Sequence, residues 1–140
     1  LVNDRIDVAL ACGADGIQLR EDSLSAKVAR SILGPSYLIG RSVHSVERAV
    51  QAEAAGADFL IVGTIFPSPS HPERPPAGPD LLAKVSARVR TPALAIGGIT
   101  AENVSSAILA GADGAAVISA GATRSATAPG PTEPGPATGL

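Results

Sequence analysis

The chain has 140 residues and a net charge of −2, without the basic block that would indicate a nucleic-acid or acidic-membrane partner. Apolar residues make up 45% of it and aromatic residues only 2%, so the core has to be built from Ala, Val, Ile and Leu. The longest apolar run, residues 59–65, is too short to cross a bilayer, and we expect a cytoplasmic protein.

Short apolar runs predict the strands. A first strand is expected to end just before Asn3, where only Leu1 and Val2 remain in view. The single cysteine, Cys12, follows the apolar stretch 8–11, and we expect it to be buried and structural. Five further strands are predicted at residues 16–19, 37–43, 59–66, 93–99 and 115–120.

Apolar residues at helical spacing fill the intervals between these strands. Ser45 is expected to be the N-cap of one helix, and Ser23 is a weaker capping candidate. The predicted stripes are Val46, Ala49, Val50 and Ala54; Leu24, Val28 and Ile32; and Leu81 or Leu82 with Val85 and Val89.

A Gly-Ala-Asp repeat at residues 13–15, 56–58 and 111–113 ends each helix and opens the next strand. Repeated joints of this kind predict βα units and a parallel sheet, here a (β/α)8 TIM barrel of which about six units are visible over residues 1–120. We expect two N-terminal units to be missing, with an open six-unit sheet as the alternative. Exposed edges of a partial barrel would favour a homo-oligomer. Residues 121–140, rich in Ala, Thr, Gly and Pro, are predicted to be a disordered tail.

Two strand ends near residue 97 and residue 118 are suited to binding a phosphate. Gly97 and Gly98 lack side chains, so their backbone N–H groups can approach a ligand closely, and Thr100 is expected to cap the helix that follows. Ile118 and Ser119 end the next strand. In a parallel barrel the loops after the last two strands often bind phosphate, so the sequence predicts a phosphate cup here.

Other polar residues lie at the remaining strand ends. The long proline-rich loop 66–76 carries Ser68, Ser70 and His71, which could donate hydrogen bonds to a phosphate or carboxylate; a solvated loop without function is the alternative. His44 is a candidate acid or base, and a capping role for it is equally open. Asp4 is a candidate Mg²⁺ ligand.

Five motifs in chain order resemble the thiamine phosphate synthase/TenI family, at residues 2–5, 40–45, 63–70, 96–99 and 117–119. The family fold is a (β/α)8 barrel, and this chain would correspond to its last six units. The resemblance implies a thiazole phosphate carboxylate as ligand, its phosphate held by backbone amides. By motif, the implied binding residues are Gly98, Ile118 and Ser119 for phosphate, Ser68 and Ser70 for the carboxylate, and Ser42 and Asn3 for the rest of the mouth.

The family has two branches, and the chain departs from both. In synthases, which couple a hydroxymethylpyrimidine diphosphate to the thiazole phosphate, Mg²⁺ binds two aspartates. Asp4 matches the first, but Ser23 stands at the second, unless Asp22 substitutes from one residue away. A lysine of the synthases is replaced by His71. In TenI-type tautomerases, a histidine proposed to move a proton within the thiazole is replaced by Thr64.

The resemblance favours the TenI-like tautomerase branch, because Ser23 and the segment 40–45 are similar to it. His71 or His44 would then move the proton, beside Ser42. The alternatives are a synthase, with Mg²⁺ at Asp4 and the pyrimidine diphosphate as second substrate, and an inactive phosphate-binding remnant.

Overall fold

A computed structural model of the chain describes residues 1–68 and 75–118. Strands and helices alternate along this part of the chain. The strands are β1 (Val2–Asn3), β2 (Gly16–Leu19), β3 (Leu38–Val43), β4 (Phe59–Val62), β5 (Ala93–Ile96) and β6 (Gly114–Ala116). The helices are α1 (Ile6–Ala11), α2 (Ala26–Leu33), α3 (Val46–Ala54), α4 (Pro79–Ser86) and α5 (Val104–Leu109).

The six strands form one parallel sheet in which spatial order equals chain order, β1-β2-β3-β4-β5-β6. Consecutive parallel strands joined by helices are the arrangement of neighbouring units in a (β/α)8 barrel, as the sequence predicts. The predicted tail, residues 121–140, lies outside the described residues. In the described part, no helix is long and apolar enough to span a membrane.

Three predicted strands extend too far at their carboxyl ends. β4 ends at Val62 and β5 at Ile96, although apolar residues continue beyond both. The backbone after β4 still pairs with the neighbouring segment, since Ile65 N–H donates to the Ile96 carbonyl at 2.9 Å. The glycines at 63, 97 and 98 bend these continuations, so the apolar run outlasts the regular strand. β6 likewise ends at Ala116, before Val117.

The core lies between the outward face of the sheet and the helices. Large side chains of the strands, such as Ile17, Ile39 and Leu60, are fully buried there. The helices meet them with small residues, of which Ala29 and Ala49 are completely buried. Small helix residues let the helix axis approach bulky strand side chains closely, which suits a core that contains almost no aromatic residues.

The predicted stripe on α2 is wrong. Leu24, Val28 and Ile32 are 52%, 43% and 51% exposed, whereas Ala26, Ala29 and Leu33 face the core. The sequence pattern selects the largest apolar residues, but the bulky strand face leaves room only for a mostly alanine helix surface.

The same holds in part for α3 (Val46–Ala54), where Ala49 and Ala52 are buried and Val50 is exposed. The predicted stripe Leu82, Val85 and Val89 is correct.

Cys12 is exposed, contrary to the expectation that it is buried. It caps the end of α1, a helix in which only Ala9 is fully buried, so most of its apolar surface faces solvent. Ser45 caps α3 as predicted, accepting a hydrogen bond from Arg48 N–H at 3.2 Å. The cap of α2 is Ser25 rather than Ser23.

The Gly-Ala-Asp repeat lies at the amino-terminal ends of the strands and binds backbone N–H groups there. In its second copy Gly56 adopts a left-handed conformation, with φ 84°, that ends α3. The Asp58 carboxylate then accepts a hydrogen bond from Ile39 N–H at 2.7 Å. The third copy repeats this contact between Asp113 and Ala93 N–H at 2.8 Å. Charged side chains thus bind backbone N–H groups at this edge.

Candidate functional site

A cavity of about 500 Å³, called the main cavity below, opens at the carboxyl-terminal ends of the strands. Its size is within the range of small-molecule sites, and its position is where parallel barrels bind ligands. Residues from five strand ends line it: Arg20, Glu21, Asp22, Ser42, His44, Arg48, Ile61, Gly63, Thr64, Ser68, Ile96, Gly97 and Ile118.

The glycine turn after β5 packs directly against the segment after β4. Gly97 and Gly98 have φ values of 95° and 59°, which L side chains rarely adopt. A Cβ on Gly97 would lie 2.9 Å from Thr64 Cα, and one on Gly98 would lie 2.9 Å from the Phe66 carbonyl oxygen. Both positions therefore require glycine for conformation and for space.

A smaller cup of about 20 Å³ lies beside this turn and shares Ser68, Gly97 and Ile118 with the main cavity. Gly98 also lines it. The structure thus brings together the described members of the predicted phosphate cup. Ser119, the remaining predicted member, lies outside the described residues.

Thr100 does not cap the following helix, contrary to prediction. α5 begins at Val104, with Asn103 before it, and has six residues. The Asn103 amide instead holds the glycine turn: its Oδ1 accepts from Thr100 N–H and its Nδ2 donates to the Gly98 carbonyl, both at 2.8 Å. Sequence reasoning missed Asn103, because the turn that brings it back to Gly98 is not visible in a periodic pattern.

His44 lies at the cavity mouth and is held by Glu21. Its Nδ1 is 3.0 Å from Glu21 Oε2, and its backbone N–H donates to Glu21 Oε1 at 3.2 Å. Arg48 Nε lies 3.9 Å from the same carboxylate. A carboxylate on one ring nitrogen orients an imidazole, so this pair is suited to proton transfer.

Asp4 follows β1 in a left-handed conformation, φ 57°, which is uncommon for a residue other than glycine. Its Oδ1 accepts hydrogen bonds from the Ser23 hydroxyl and from Arg20 N–H, the latter at 3.0 Å. Its Oδ2 pairs with Arg20 Nε at 2.8 Å. Burial raises the pKa of Asp4, but the hydrogen bonds from Ser23 and Arg20 outweigh it and hold that pKa below its usual range.

These contacts test whether the described residues fit the Mg²⁺ expected of the synthase branch. Oδ1 of Asp4 accepts two hydrogen bonds, Oδ2 is ion-paired with Arg20, and Ser23 offers a hydroxyl where a second carboxylate is expected. No group of three or more His, Cys, Asp or Glu residues in the described chain could hold a metal ion. The described residues therefore do not fit a Mg²⁺ site.

Arg41 fixes the loop that carries these groups. It points from β3 toward the helices, and its guanidinium donates to three carbonyls of the β2–α2 loop: Glu21 at 2.6 Å, Ser23 at 3.3 Å, and Leu24. Burial lowers the pKa of Arg41, and the Glu21 carboxylate opposes that shift. A second cavity of about 170 Å³ lies beside the guanidinium, between α2 and α3, so hydrogen bonds rather than packed side chains hold this loop.

The other predicted residues are placed as follows. Ser42 lines the cavity and accepts a hydrogen bond from Gln18 Nε2 at 3.0 Å. Asn3 is exposed and lines none of the described cavities. Ser70 and His71 lie outside the described residues.

Sequence reasoning also missed the roles of Arg20, Glu21 and Arg41. A usable signal was present, because a charged triplet, residues 20–22, directly follows β2 (Gly16–Leu19). Polar residues at the carboxyl end of a barrel strand are where a ligand site is expected.

The fold and this cavity together define a βα-barrel protein with a candidate small-molecule site beside its glycine turn. Residues 1–120 match the family model described as thiamine monophosphate synthase (TMP-TENI). The chain belongs to this family, as the motif resemblance implies.

Relatives and a solved structure agree with the family match. The chain is 48% identical over 121 residues to a thiamine-phosphate synthase of Roseiflexus sp. (strain RS-1), and 47% identical over 121 residues to one of Syntrophomonas wolfei. It is also similar to the thiamine phosphate pyrophosphorylase from Pyrococcus furiosus, with a TM-score of 0.76 and 43% identity, over 84% of this chain and 56% of that one.

These alignments cover 86% of this chain but 51% and 58% of the two curated relatives, so the chain spans about half of their length. The relatives' names favour the synthase alternative over the tautomerase that the motifs favoured.

Proposed function

We propose that the protein acts in thiamine biosynthesis as a thiamine-phosphate synthase, joining a pyrimidine diphosphate to a thiazole phosphate carboxylate. The observation that carries this proposal is the 48% identity over 121 residues to a protein of that name. The cavity supports it, because about 500 Å³ is ample for two small heterocyclic substrates.

In this proposal the thiazole phosphate binds at the glycine turn. The backbone N–H groups near Gly98 and Ile118 donate to the phosphate, and the Ser68 hydroxyl lies between the cup and the cavity. The turn is held by Asn103 before any ligand arrives, so little ordering has to accompany binding. Ser70 and Ser119 remain predicted contributors from the sequence motifs.

The pyrimidine diphosphate would occupy the other half of the cavity, between β2 and β3. Arg20 and Arg48 line that half together with Glu21 and Asp22. Both arginine side chains are more than half exposed, so their guanidinium groups can reach an anion there. As diphosphate leaves, negative charge develops on it, and fixed cations in place beforehand stabilise that charge. Ser42, held by Gln18, faces the same space.

The test is a coupling assay on the purified protein in the form its gene encodes. We expect thiamine phosphate to form from the two substrates, detected by chromatography after oxidation to the fluorescent product. Gly98→Ala should abolish product formation, because its Cβ collides with the Pro67 and Phe66 backbone. A folded wild-type protein that binds both substrates and forms no thiamine phosphate would refute the proposal.

A thiazole tautomerase is the second candidate, favoured by the Glu21–His44 pair at the cavity mouth. An imidazole beside a carboxylate can take a proton from one atom of the thiazole phosphate and return it to another. The assay is deuterium incorporation into the thiazole phosphate in D₂O without the pyrimidine, followed by NMR. His44→Gln should slow exchange at least about a hundredfold if His44 carries the proton. Unchanged exchange in that variant would exclude the assignment.

The inactive alternative predicts a different result. Thiazole phosphate would then raise the melting temperature while neither coupling nor proton exchange occurs.

A further inference from the structure

The loop after β2 (Gly16–Leu19) places a fixed cation where the family resemblance predicts a metal. Arg20 Nε lies 2.8 Å from Asp4 Oδ2 and 3.5 Å from Asp22 Oδ1. Asp4 is the carboxylate that the synthase branch predicts as a Mg²⁺ ligand. Asp22 is the carboxylate that could replace the second aspartate, at whose position Ser23 stands. The guanidinium lies beside both carboxylates, and Ser23 closes the remaining oxygen of Asp4.

Arg20 is held on one side and open on the other. Its backbone N–H and its Nε both bind Asp4, which fixes the start of the side chain. The side chain is 72% exposed and lines the main cavity. Among the hydrogen bonds of the described residues, none is donated by Nη1 or Nη2 of Arg20. A guanidinium presents these two nitrogens as a fork, which matches two oxygens of a phosphate.

The charge and the geometry differ from those of a metal site. Mg²⁺ demands oxygen ligands in octahedral geometry, whereas the Asp4 oxygens already face the Ser23 hydroxyl and the positive Arg20 guanidinium. Arg20 keeps its charge at all physiological pH values and needs no oxygen ligands.

We propose that Arg20, anchored by Asp4, binds the diphosphate end of the pyrimidine substrate directly, so that this protein holds a diphosphate without a divalent metal. The inference rests on the proposed function for the identity of the substrate. Asp4 is then a positioning residue: it orients Arg20 and does not ligate a metal.

The experiment measures binding of inorganic diphosphate by calorimetry, once in EDTA and once with Mg²⁺. For the wild-type protein we expect the two Kd values to agree within about twofold. Arg20→Met should weaken binding at least about tenfold, because a bidentate charge-assisted pair is lost. Arg20→Lys should give an intermediate affinity, since lysine keeps the charge but not the fork.

Arg5→Met is the matched control. Arg5 also pairs with an aspartate, Asp7, at 2.6 Å, and both side chains are exposed on α1 away from the cavity. This variant should bind diphosphate as the wild type does. A second measurement does not depend on any reaction: electron paramagnetic resonance of Mn²⁺ should show no binding to the wild-type protein in the absence of diphosphate.

Two results would overturn the inference: binding of diphosphate only when Mg²⁺ is present, or equal affinities for Arg20→Met and wild type. Arg20→Lys covers the case in which Arg20→Met does not fold. Arg20-dependent diphosphate binding in a protein that forms no thiamine phosphate would refute the proposed synthase and leave this inference standing. Thiamine phosphate formation that stops in EDTA and is unaffected by Arg20→Lys would refute this inference and leave the proposed synthase standing.

Discussion

At the amino-terminal end of the sheet, the Asp58 carboxylate binds the Ile39 N–H and the Arg30 guanidinium, and none of these three residues lines a cavity described above. At the carboxyl-terminal end, the Asp4 carboxylate likewise binds a backbone N–H, that of Arg20, together with the Ser23 hydroxyl and the Arg20 guanidinium. The two ends use the same kinds of contact, but at the second end the arginine borders the main cavity. We therefore expect the first end to serve stability and the second to serve ligand binding, as is usual in parallel barrels.

Two glycines with nearly the same conformation give the sharpest test of this division. Gly98 (φ 59°) lies at the ligand end and Gly13 (φ 63°) at the opposite end, where a Cβ would meet no atom within 4 Å. Gly98→Ala should weaken binding of thiazole phosphate at least about tenfold and cost roughly 1–3 kcal/mol of stability. Gly13→Ala should cost about 1–2 kcal/mol, the conformational penalty alone.

Calorimetric titration and thermal unfolding of both variants measure these effects. Gly13→Ala should retain wild-type ligand affinity. Equal losses of affinity in the two variants would mean that the glycine turn has no special part in binding.

Asp58→Ala tests the amino-terminal end by itself. It leaves Ile39 N–H and the Arg30 guanidinium without the carboxylate that pairs them at 2.7 and 2.6 Å. We expect a loss of about 1–3 kcal/mol in the free energy of unfolding, measured with urea, and an unchanged affinity for thiazole phosphate. The free energy of unfolding of Asp58→Asn should lie between those of the wild type and Asp58→Ala, because asparagine keeps an acceptor for the N–H but loses the charge. A change in ligand affinity would contradict the division of roles.

Arg41 at the carboxyl-terminal end of the sheet and Arg30 at the amino-terminal end hold a loop in the same way. Each guanidinium donates to carbonyls of one loop; Arg30 binds those of Gly34 at 3.1 Å and Tyr37 at 2.5 Å. In Arg41→Met, the N–H of His44 should exchange with solvent about tenfold faster, because Glu21 is no longer held beside it. In Arg30→Met, the accelerated N–H should be that of Ile39 instead.

Amide hydrogen exchange followed by NMR measures both variants, with each rate compared with the slowest exchanging amides of the same protein. Diphosphate affinity should fall only in Arg41→Met. Faster exchange at both ends in either variant would show general loosening rather than a local clamp.

The smallest expected effect is on how the free energy of unfolding changes at acidic pH. The pKa of Asp4 is lower in the folded protein than the usual aspartate value of 3.8, so the carboxylate stabilises the fold above that value. This stabilisation is lost as the pH falls from 3.8 through the folded pKa. Urea unfolding as a function of pH should therefore show a shallower loss of stability in this range for Asp4→Asn than for wild type. Identical acid profiles would mean that Asp4 gains nothing from Arg20 and Ser23.

How far the sequence could predict the fold depends on how local the signals are. The apolar runs and the Gly-Ala-Asp joints are local, and they correctly predict the alternation of strands and helices. The stripe of Leu24, Val28 and Ile32 misled, because which helix face is buried depends on the size of strand side chains elsewhere. Thr100 misled for a similar reason, since the helix start depends on the contact of Asn103 with Gly98.

The candidate site divides in the same way. The glycine turn was predictable, because two adjacent glycines at the end of an apolar strand have few other uses. The partners of the charged groups were not: Asp4 and Arg20 are 16 residues apart, and Glu21 and His44 are 23 apart. Side chains with several rotatable bonds can reach several partners, and only the folded loop selects one.

The sequence by itself thus determined the family, through its motifs, and the parallel sheet, through short-range pattern; it also predicted a phosphate cup, whose described residues the fold brings together. Only the tertiary structure decided that Arg20 stands beside Asp4, where the synthase branch places a metal, and that Arg41 holds the loop between them and His44. Charge pairs form across loops whose course is set by packing, so they cannot be derived from local sequence alone.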